Sequence, residues 1–273
     1  MIGAIIGDIV GSRFEFTNYR DKNFKLFTDN CQATDDSIMT LAVAKAIMET
    51  EKIKGISVGE YDKLLEKMTI KYMQKIGGNY PNCGYGGMFS QWIFSENPRP
   101  YNSFGNGAAM RISPAGFIAK TESEAKRLSE IITRITHNHP EGIKGAEAVV
   151  VAIFMARQGV AKNEIRKKID TSYYPLSFTI DEIRDTYKFN ETCQETVPQA
   201  IEAFLESISF EDAIRTAVSV GGDSDTLAAI TGSIAQAYYG VPKNIEEKAL
   251  AFLDTDLRAI YDEWNAFLSK ELS

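Results

Sequence analysis

Histidine and cysteine are scarce in this chain, with two of the first and three of the second among 273 residues. His137 and His139 are near neighbours, while Cys31, Cys83 and Cys193 lie far apart with no CxxC pair. That leaves too few ligands for a typical structural zinc site. The odd cysteine count argues against a disulfide scaffold and fits a reducing compartment. Positive charge is also short: 30 Lys and Arg face 37 Asp and Glu, a formal net charge of -7. Broad binding to a phosphate backbone needs a positive footprint that this balance does not supply, although a nucleic-acid substrate stays open. No apolar run approaches the roughly 18–20 residues of a membrane span. Met1 to Val10 is apolar but short, Asp8 interrupts it and no basic region precedes it, so it does not read as a targeting segment. The expectation is a cytoplasmic protein with no membrane partner. Apolar residues at 44% and charged residues at 25% fit a globular chain that buries a sizeable core. Any catalytic site is left to carboxylates and hydroxyls.

The dominant period is helical. Apolar residues recur every three to four positions in 37–50, 61–76 and 123–136. Further helices read at 145–157, 163–169, 197–207, 210–220, 225–240, 245–253 and 256–272. Pro198 suits a first helical turn, and Gly240 before Val241-Pro242 stops the helix ahead of it. The alternation at 24–27 is the only strand-like signal. Two stretches read as irregular: 77–114, rich in Gly and Pro, and 171–197. Neither has the composition of a domain linker, so a single all-α domain over 1–273 is the simplest reading. Gly3, Gly7 and Gly11, four apart, share one helix face and permit close approach of another backbone. They form neither a dinucleotide fingerprint nor a P-loop.

Two acidic clusters stand at helix starts: Thr34-Asp35-Asp36-Ser37 and Asp223-Ser224-Asp225-Thr226. One Asp or Thr there is ordinarily a cap. Each cluster has two carboxylates, however, where a cap needs one. The helix behind the second is apolar nearly all round, which turns its start toward the interior or a cleft. Four converging carboxylates would repel by about 1–4 kcal/mol per contact near 4 Å. Divalent cations relieve that, and oxygen ligands select Mg²⁺, Mn²⁺ or Ca²⁺ over zinc. An aspartyl-phosphate phosphatase motif is matched only in part, because Thr226 follows Asp225 directly and the chain lacks alternating β and α runs. A terpenoid-cyclase motif would need a further acid where Met39 and Thr40 stand.

Ser103-Phe104-Gly105-Asn106-Gly107 reads as a turn whose backbone N–H groups could form an anion nest. Pro140 reads as the end of the helix before it. That leaves His137 and His139 at a helix C-terminus, as imidazolium caps or as donors to a phosphate or ribose. Glu15 is a loop carboxylate that becomes a candidate if its loop folds over the cleft.

Together these segments resemble the ADP-ribosylglycohydrolase family. The resemblance rests on Gly7-Asp8-Ile9-Val10-Gly11-Ser12-Arg13-Phe14-Glu15, Thr34 to Ser37, Gly105-Asn106-Gly107 through Met110-Arg111, Thr136-His137, and Gly221-Gly222-Asp223-Ser224-Asp225-Thr226. Five motifs in order span residue 3 to about residue 242. The resemblance implies an all-α orthogonal multi-helix bundle with two Mg²⁺ or Mn²⁺. Thr34, Asp35, Asp36, Asp223, Asp225 and Thr226 would be the metal ligands. Ser103, Phe104, Gly105, Asn106, Gly107 and His137 would bind the ADP-ribose part of the substrate, and Glu15 and Asp36 are the candidate acid–base groups. The implied reaction is hydrolysis of the C1″ glycosidic bond of an ADP-ribosylated protein or small molecule by a metal-activated water. Two other readings are an ADP-ribose-binding regulatory module and a metal-dependent phosphohydrolase on ADP-ribose-like nucleotides. The segment Asn82 to Met88 lacks an acid that some relatives carry, which leaves the acceptor open. Tyr85, Tyr101 and Phe104 are candidates to stack on adenine.

Overall fold

The computed structural model describes residues 1–271. Its helices are α1 (Ile2–Gly11), α2 (Asp35–Glu51), α3 (Val58–Gly77), α4 (Gly87–Ile93), α5 (Gly107–Met110), α6 (Ser113–Ile118), α7 (Glu122–Arg134) and α8 (Pro140–Arg157). They continue as α9 (Lys162–Ser172), α10 (Ile180–Arg184), α11 (Cys193–Glu206), α12 (Phe210–Val218), α13 (Ser224–Tyr239), α14 (Lys243–Leu250) and α15 (Thr255–Glu271). The architecture is all-α. No strand occurs among the described residues; one isolated bridge joins Gly105 to Thr192. No helix among them is long and apolar enough to cross a membrane.

The centre of the fold is the contact of α1 with α13. Every residue of α1 is buried. A methyl group on Gly3 would stand 2.1 Å from the Gly232 carbonyl oxygen, and one on Gly7 would stand 2.0 Å from that of Ala228. A methyl on Gly11 would meet the Asp225 Cα at 2.5 Å. The glycine face is thus a backbone-to-backbone seam, as its spacing predicts. Ile5, Ile6 and Ile9 fill the other faces of α1 at 0% exposure. Each contributes about 1.5–3 kcal/mol of burial, which helps offset the desolvation of the charges set beside them. The seam delivers the start of α13 to the end of α1, and so brings one acidic cluster beside the Glu15 loop.

Three expectations need correction. Pro140 does not end a helix; it is the first residue of α8, where a missing N–H costs nothing. Pro198 lies inside α11, which begins five residues earlier at Cys193. The stretch 77–114 contains α4 and α5, and 171–197 contains α10, all too short to impose a clear period. The short alternation at 24–27 forms no strand, in keeping with the all-α reading. The expected final helix, 256–272, is present as α15; its last residue lies outside the described residues.

Candidate active site

A cavity of about 530 Å³ is lined by Glu15, Asp35, Asp36, Asp223, Asp225 and Thr226 together with residues 103–107, Arg111 and His137. Groups far apart in sequence therefore share one cavity. Carboxylate oxygens of Asp8, Asp36 and Asp225 lie within 4.8 Å of one another, and so do those of Glu15, Asp223 and Asp225. Asp225 belongs to both groups and links them.

The helix starts place these acids. Thr34 is the N-cap of α2, and its hydroxyl accepts the Asp36 N–H at 3.4 Å. The same hydroxyl donates to Asp8 Oδ1 at 2.6 Å, and Thr34 does not line the cavity. The Asp35 N–H is taken by the Cys83 carbonyl at 3.1 Å. Gly84, at φ 113°, lets that loop pass close to Asp35: a methyl there would stand 3.0 Å from Oδ1. Asp223 precedes α13 but makes no side-chain cap hydrogen bond. Its Oδ2 instead accepts Asn106 Nδ2–H at 2.6 Å. Thr226 Oγ1 donates to Asp36 Oδ2 at 3.1 Å. Asp36 Oδ1 is buried with no hydrogen-bond partner among the described residues. Capping accounts for Thr34; it does not account for Asp36, Asp223 or Asp225.

Asp8, which interrupts the apolar N-terminal helix, organises the cluster. It is fully buried in the middle of α1. Its Oδ2 accepts the backbone N–H groups of Thr34 at 2.9 Å and Ser37 at 3.0 Å, and the Ser37 hydroxyl as well. One helix thereby caps the start of another. The signal was present in the sequence: a lone carboxylate in an apolar helix must find partners or do chemistry.

Burial raises every one of these carboxyl pKa values, and the neighbouring carboxylates raise most of them further. Asp35 is pushed up to about 8, mainly by burial, then by Asp8 and Asp223. Glu15 rises to about 7 through burial and then Asp223. Asp8 rises to about 6 through burial, against the hydrogen bonds it accepts. Asp36 and Asp225 are raised well above the ordinary range, and Asp223 is also raised, in each case mainly by burial. Burial and mutual repulsion thus favour the protonated forms of these carboxyls.

Glu15 is half-buried and lines the cavity, so its loop does fold over the cleft. Side chains tie the loop down. Arg20 donates to the carbonyls of Val220, at 3.0 Å, and Tyr187. Asn18 Oδ1 accepts the Gly222 N–H at 2.9 Å, just before Asp223.

The 103–107 loop differs from its expected form. The Gly105 N–H donates to Ser103 Oγ at 3.1 Å and the Asn106 N–H to the Glu191 carbonyl at 2.7 Å. Neither Gly105 nor Gly107 has positive φ. An open nest of consecutive N–H groups is therefore absent here. His137 follows α7 in a turn and is 4% exposed. Burial, then Arg111, hold its pKa well below the ordinary value, so it is neutral and not the imidazolium that a helix C-terminus would favour. His139 is the N-cap of α8, accepting the Glu141 N–H through Nδ1 at 3.1 Å. Tyr101 and Phe104 line the cavity, and Phe104 is 42% exposed. Tyr85 bonds to the Gly77 carbonyl at 3.2 Å and is not among the cavity residues. Glu191 and Thr192 also line the cavity, and nothing in their local sequence marked them for that role; Arg111, quoted in the Gly105–Arg111 motif but given no role, lines it too.

Comparison with known proteins identifies the family. The family model for ADP-ribosylglycohydrolase matches residues 1–271. The human ADP-ribosylhydrolase ARH3 is 23% identical over 338 aligned positions, covering 95% of this chain and 90% of that protein. The ADP-ribosylarginine hydrolase Tri1 of Pseudomonas putida is 24% identical, covering 88% of this chain and 70% of the relative. A solved structure described as an ADP-ribosylglycohydrolase-related protein complex superposes with a TM-score of 0.64 at 19% identity. It covers 95% of this chain and 94% of its own, and so shares the fold. The chain belongs to the ADP-ribosylglycohydrolase family, and it is a glycosyl-bond hydrolase by that membership.

Proposed function

We propose that this enzyme hydrolyses the C1″ glycosidic bond of an ADP-ribosylated protein or small molecule and releases intact ADP-ribose, with two Mg²⁺ or Mn²⁺ as cofactors. The observation that carries the reading is the orphaned Asp36 Oδ1, buried within a cluster of carboxylates whose oxygens lie within 4.8 Å of one another. A buried anionic oxygen with no donor is costly, and a hard cation satisfies it. The donor set is all oxygen, which fits Mg²⁺ or Mn²⁺. Asp35, Asp36, Asp223, Asp225 and Thr226, with Thr34 behind them, are the residues that would hold the ions. When bound, such ions supply Lewis-acid polarisation and a water acidic enough to ionise near neutral pH.

The chain's own groups supply the rest. Glu15, half-buried and lining the cavity, is placed to accept or return a proton. Asp36 is the second candidate for that exchange. Asn106 holds Asp223 in place through its amide. His137 and the 103–107 loop would grip the diphosphate away from the breaking bond. Binding energy gathered there positions C1″ at the acids.

A panel of defined ADP-ribosyl linkages, assayed with Mg²⁺ and with EDTA, tests this reading. Metal-dependent release of intact ADP-ribose from at least one linkage is the expected result. AMP or inorganic phosphate as product would make the enzyme a phosphohydrolase. Tight ADP-ribose binding without turnover on any linkage would make it a binding module.

A further inference from the structure

Arg111 is the one Lys or Arg among the cavity residues, and it is 1% exposed. It takes part in no ion pair among the described residues. A desolvated guanidinium is costly unless its protons are used. One of them is: Nη2 donates to Thr136 Oγ1 at 2.6 Å, while Nε is buried without a partner among the described residues. The guanidinium carbon also lies 5.5 Å from the Phe89 ring centre.

Thr136 Oγ1 therefore receives one proton and must place its own. Two acceptors are in range, the Thr133 carbonyl at 3.4 Å and His137 Nδ1 at 2.7 Å. The Thr133 carbonyl already accepts the backbone N–H groups of Thr136 at 3.2 Å and His137 at 2.9 Å. With both of its lone pairs engaged, the shorter contact to Nδ1 takes the hydroxyl proton. A neutral imidazole that accepts at Nδ1 carries its own proton on Nε2. Nε2 faces the loop: a methyl on Gly105 would stand 3.5 Å from it, and one on Gly107 3.6 Å. Nε2 makes no hydrogen bond to the protein among the described residues.

We propose that Arg111 and Thr136 are positioning residues that lock His137 as its Nε2–H tautomer, so that the cavity presents a fixed neutral donor to an anionic oxygen of the ligand. The assignment of that oxygen to the diphosphate of ADP-ribose rests on the functional reading above. The relay itself does not. Arg111 acts through a hydroxyl, so the donor keeps its direction without lending the site a mobile charge.

The test is a long-range ¹H–¹⁵N imidazole spectrum of the ligand-free protein at neutral pH. The chain has two histidines, so His137→Gln assigns the signals by subtraction. The wild type and Thr136→Ser should show an Nδ1-acceptor, Nε2–H ring. Thr136→Val should populate the Nδ1–H form. In parallel, Thr136→Val should weaken ADP-ribose binding by about tenfold or more, the scale of one hydrogen bond to a charged group, with Thr136→Ser close to wild type. An Nδ1–H ring in the wild type would overturn the proposal, as would a tautomer unmoved in Thr136→Val. If the wild type shows the Nε2–H ring but binds no ADP-ribose, the relay stands and the functional reading falls.

Discussion

The two walls of the cavity solve opposite problems. The acidic wall, built from α1, α2 and α13, gathers more negative charge than its own donors can satisfy. Asp8 is fully hydrogen-bonded, yet Asp36 Oδ1 has no partner, and burial raises the pKa of every carboxyl there. The neighbouring wall, residues 103–107 with Arg111 and His137 and with Thr136 behind them, is rich in donors, and Arg111 Nε is buried without a partner among the described residues. The N–H groups of Gly105 and Asn106 and the Thr136 hydroxyl are paired within the protein, while neutral His137 keeps Nε2 unpaired among the described residues. One surface therefore leaves a buried carboxylate oxygen unpartnered, while the other keeps donors in reserve around a positioned histidine. On the proposed function, their difference separates the part of the site that does chemistry from the part that holds the substrate.

The largest predicted effect comes from breaking the acidic wall at its shared member. Asp225→Asn removes a carboxylate common to both groups, and turnover should fall by at least a hundredfold in steady-state assays. Turnover within a few-fold of wild type would show that the cluster is not the reacting centre. Next is the seam that assembles that wall. Gly7→Ala places a methyl 2.0 Å from the Ala228 carbonyl, with backbone on both sides and no flexible group to yield. A loss of about 1–3 kcal/mol or more is expected in denaturant unfolding, beyond that of a surface Gly→Ala change.

The smallest effect is read in solution conditions. In metal-free protein, Asp35 is raised to about 8, Glu15 to about 7 and Asp8 to about 6. Their unfolded values lie near 4. The folded state then holds more protons than the unfolded state between about pH 4 and 8, so stability falls as pH rises through that window. The Tm of EDTA-treated protein should drop by several degrees from pH 5 to pH 8, and Mg²⁺ should flatten the slope. A pH-independent Tm that Mg²⁺ leaves unmoved would contradict the contrast between the walls.

The sequence made the acidic wall more legible than the donor wall. Paired acids ahead of apolar helices are a local pattern, and Gly3, Gly7 and Gly11 announced the seam by spacing alone. Asp8 was visible but unassigned, because its role is to cap a helix that begins 27 residues later. The donor wall depends on contacts that no local pattern encodes: Arg111 meets Thr136 across 25 residues, and Glu191 closes the Asn106 N–H from another segment. The nest expected at 103–107 failed for that reason. Glycine spacing permits such a turn, but hydrogen bonds from elsewhere decide whether it forms. The short helices α4, α5 and α10 were hidden likewise, since one or two turns carry too little periodicity to read.

The central claim is that the converged carboxylates form a cation site. Calorimetric titration of Mn²⁺ into EDTA-stripped, dialysed protein tests it most directly, with Asp225→Asn as the comparison. Two Mn²⁺ bound per chain by the wild type, with at least one lost in Asp225→Asn, is the predicted result. No saturable binding up to millimolar Mn²⁺, or an isotherm unchanged in Asp225→Asn, would contradict it.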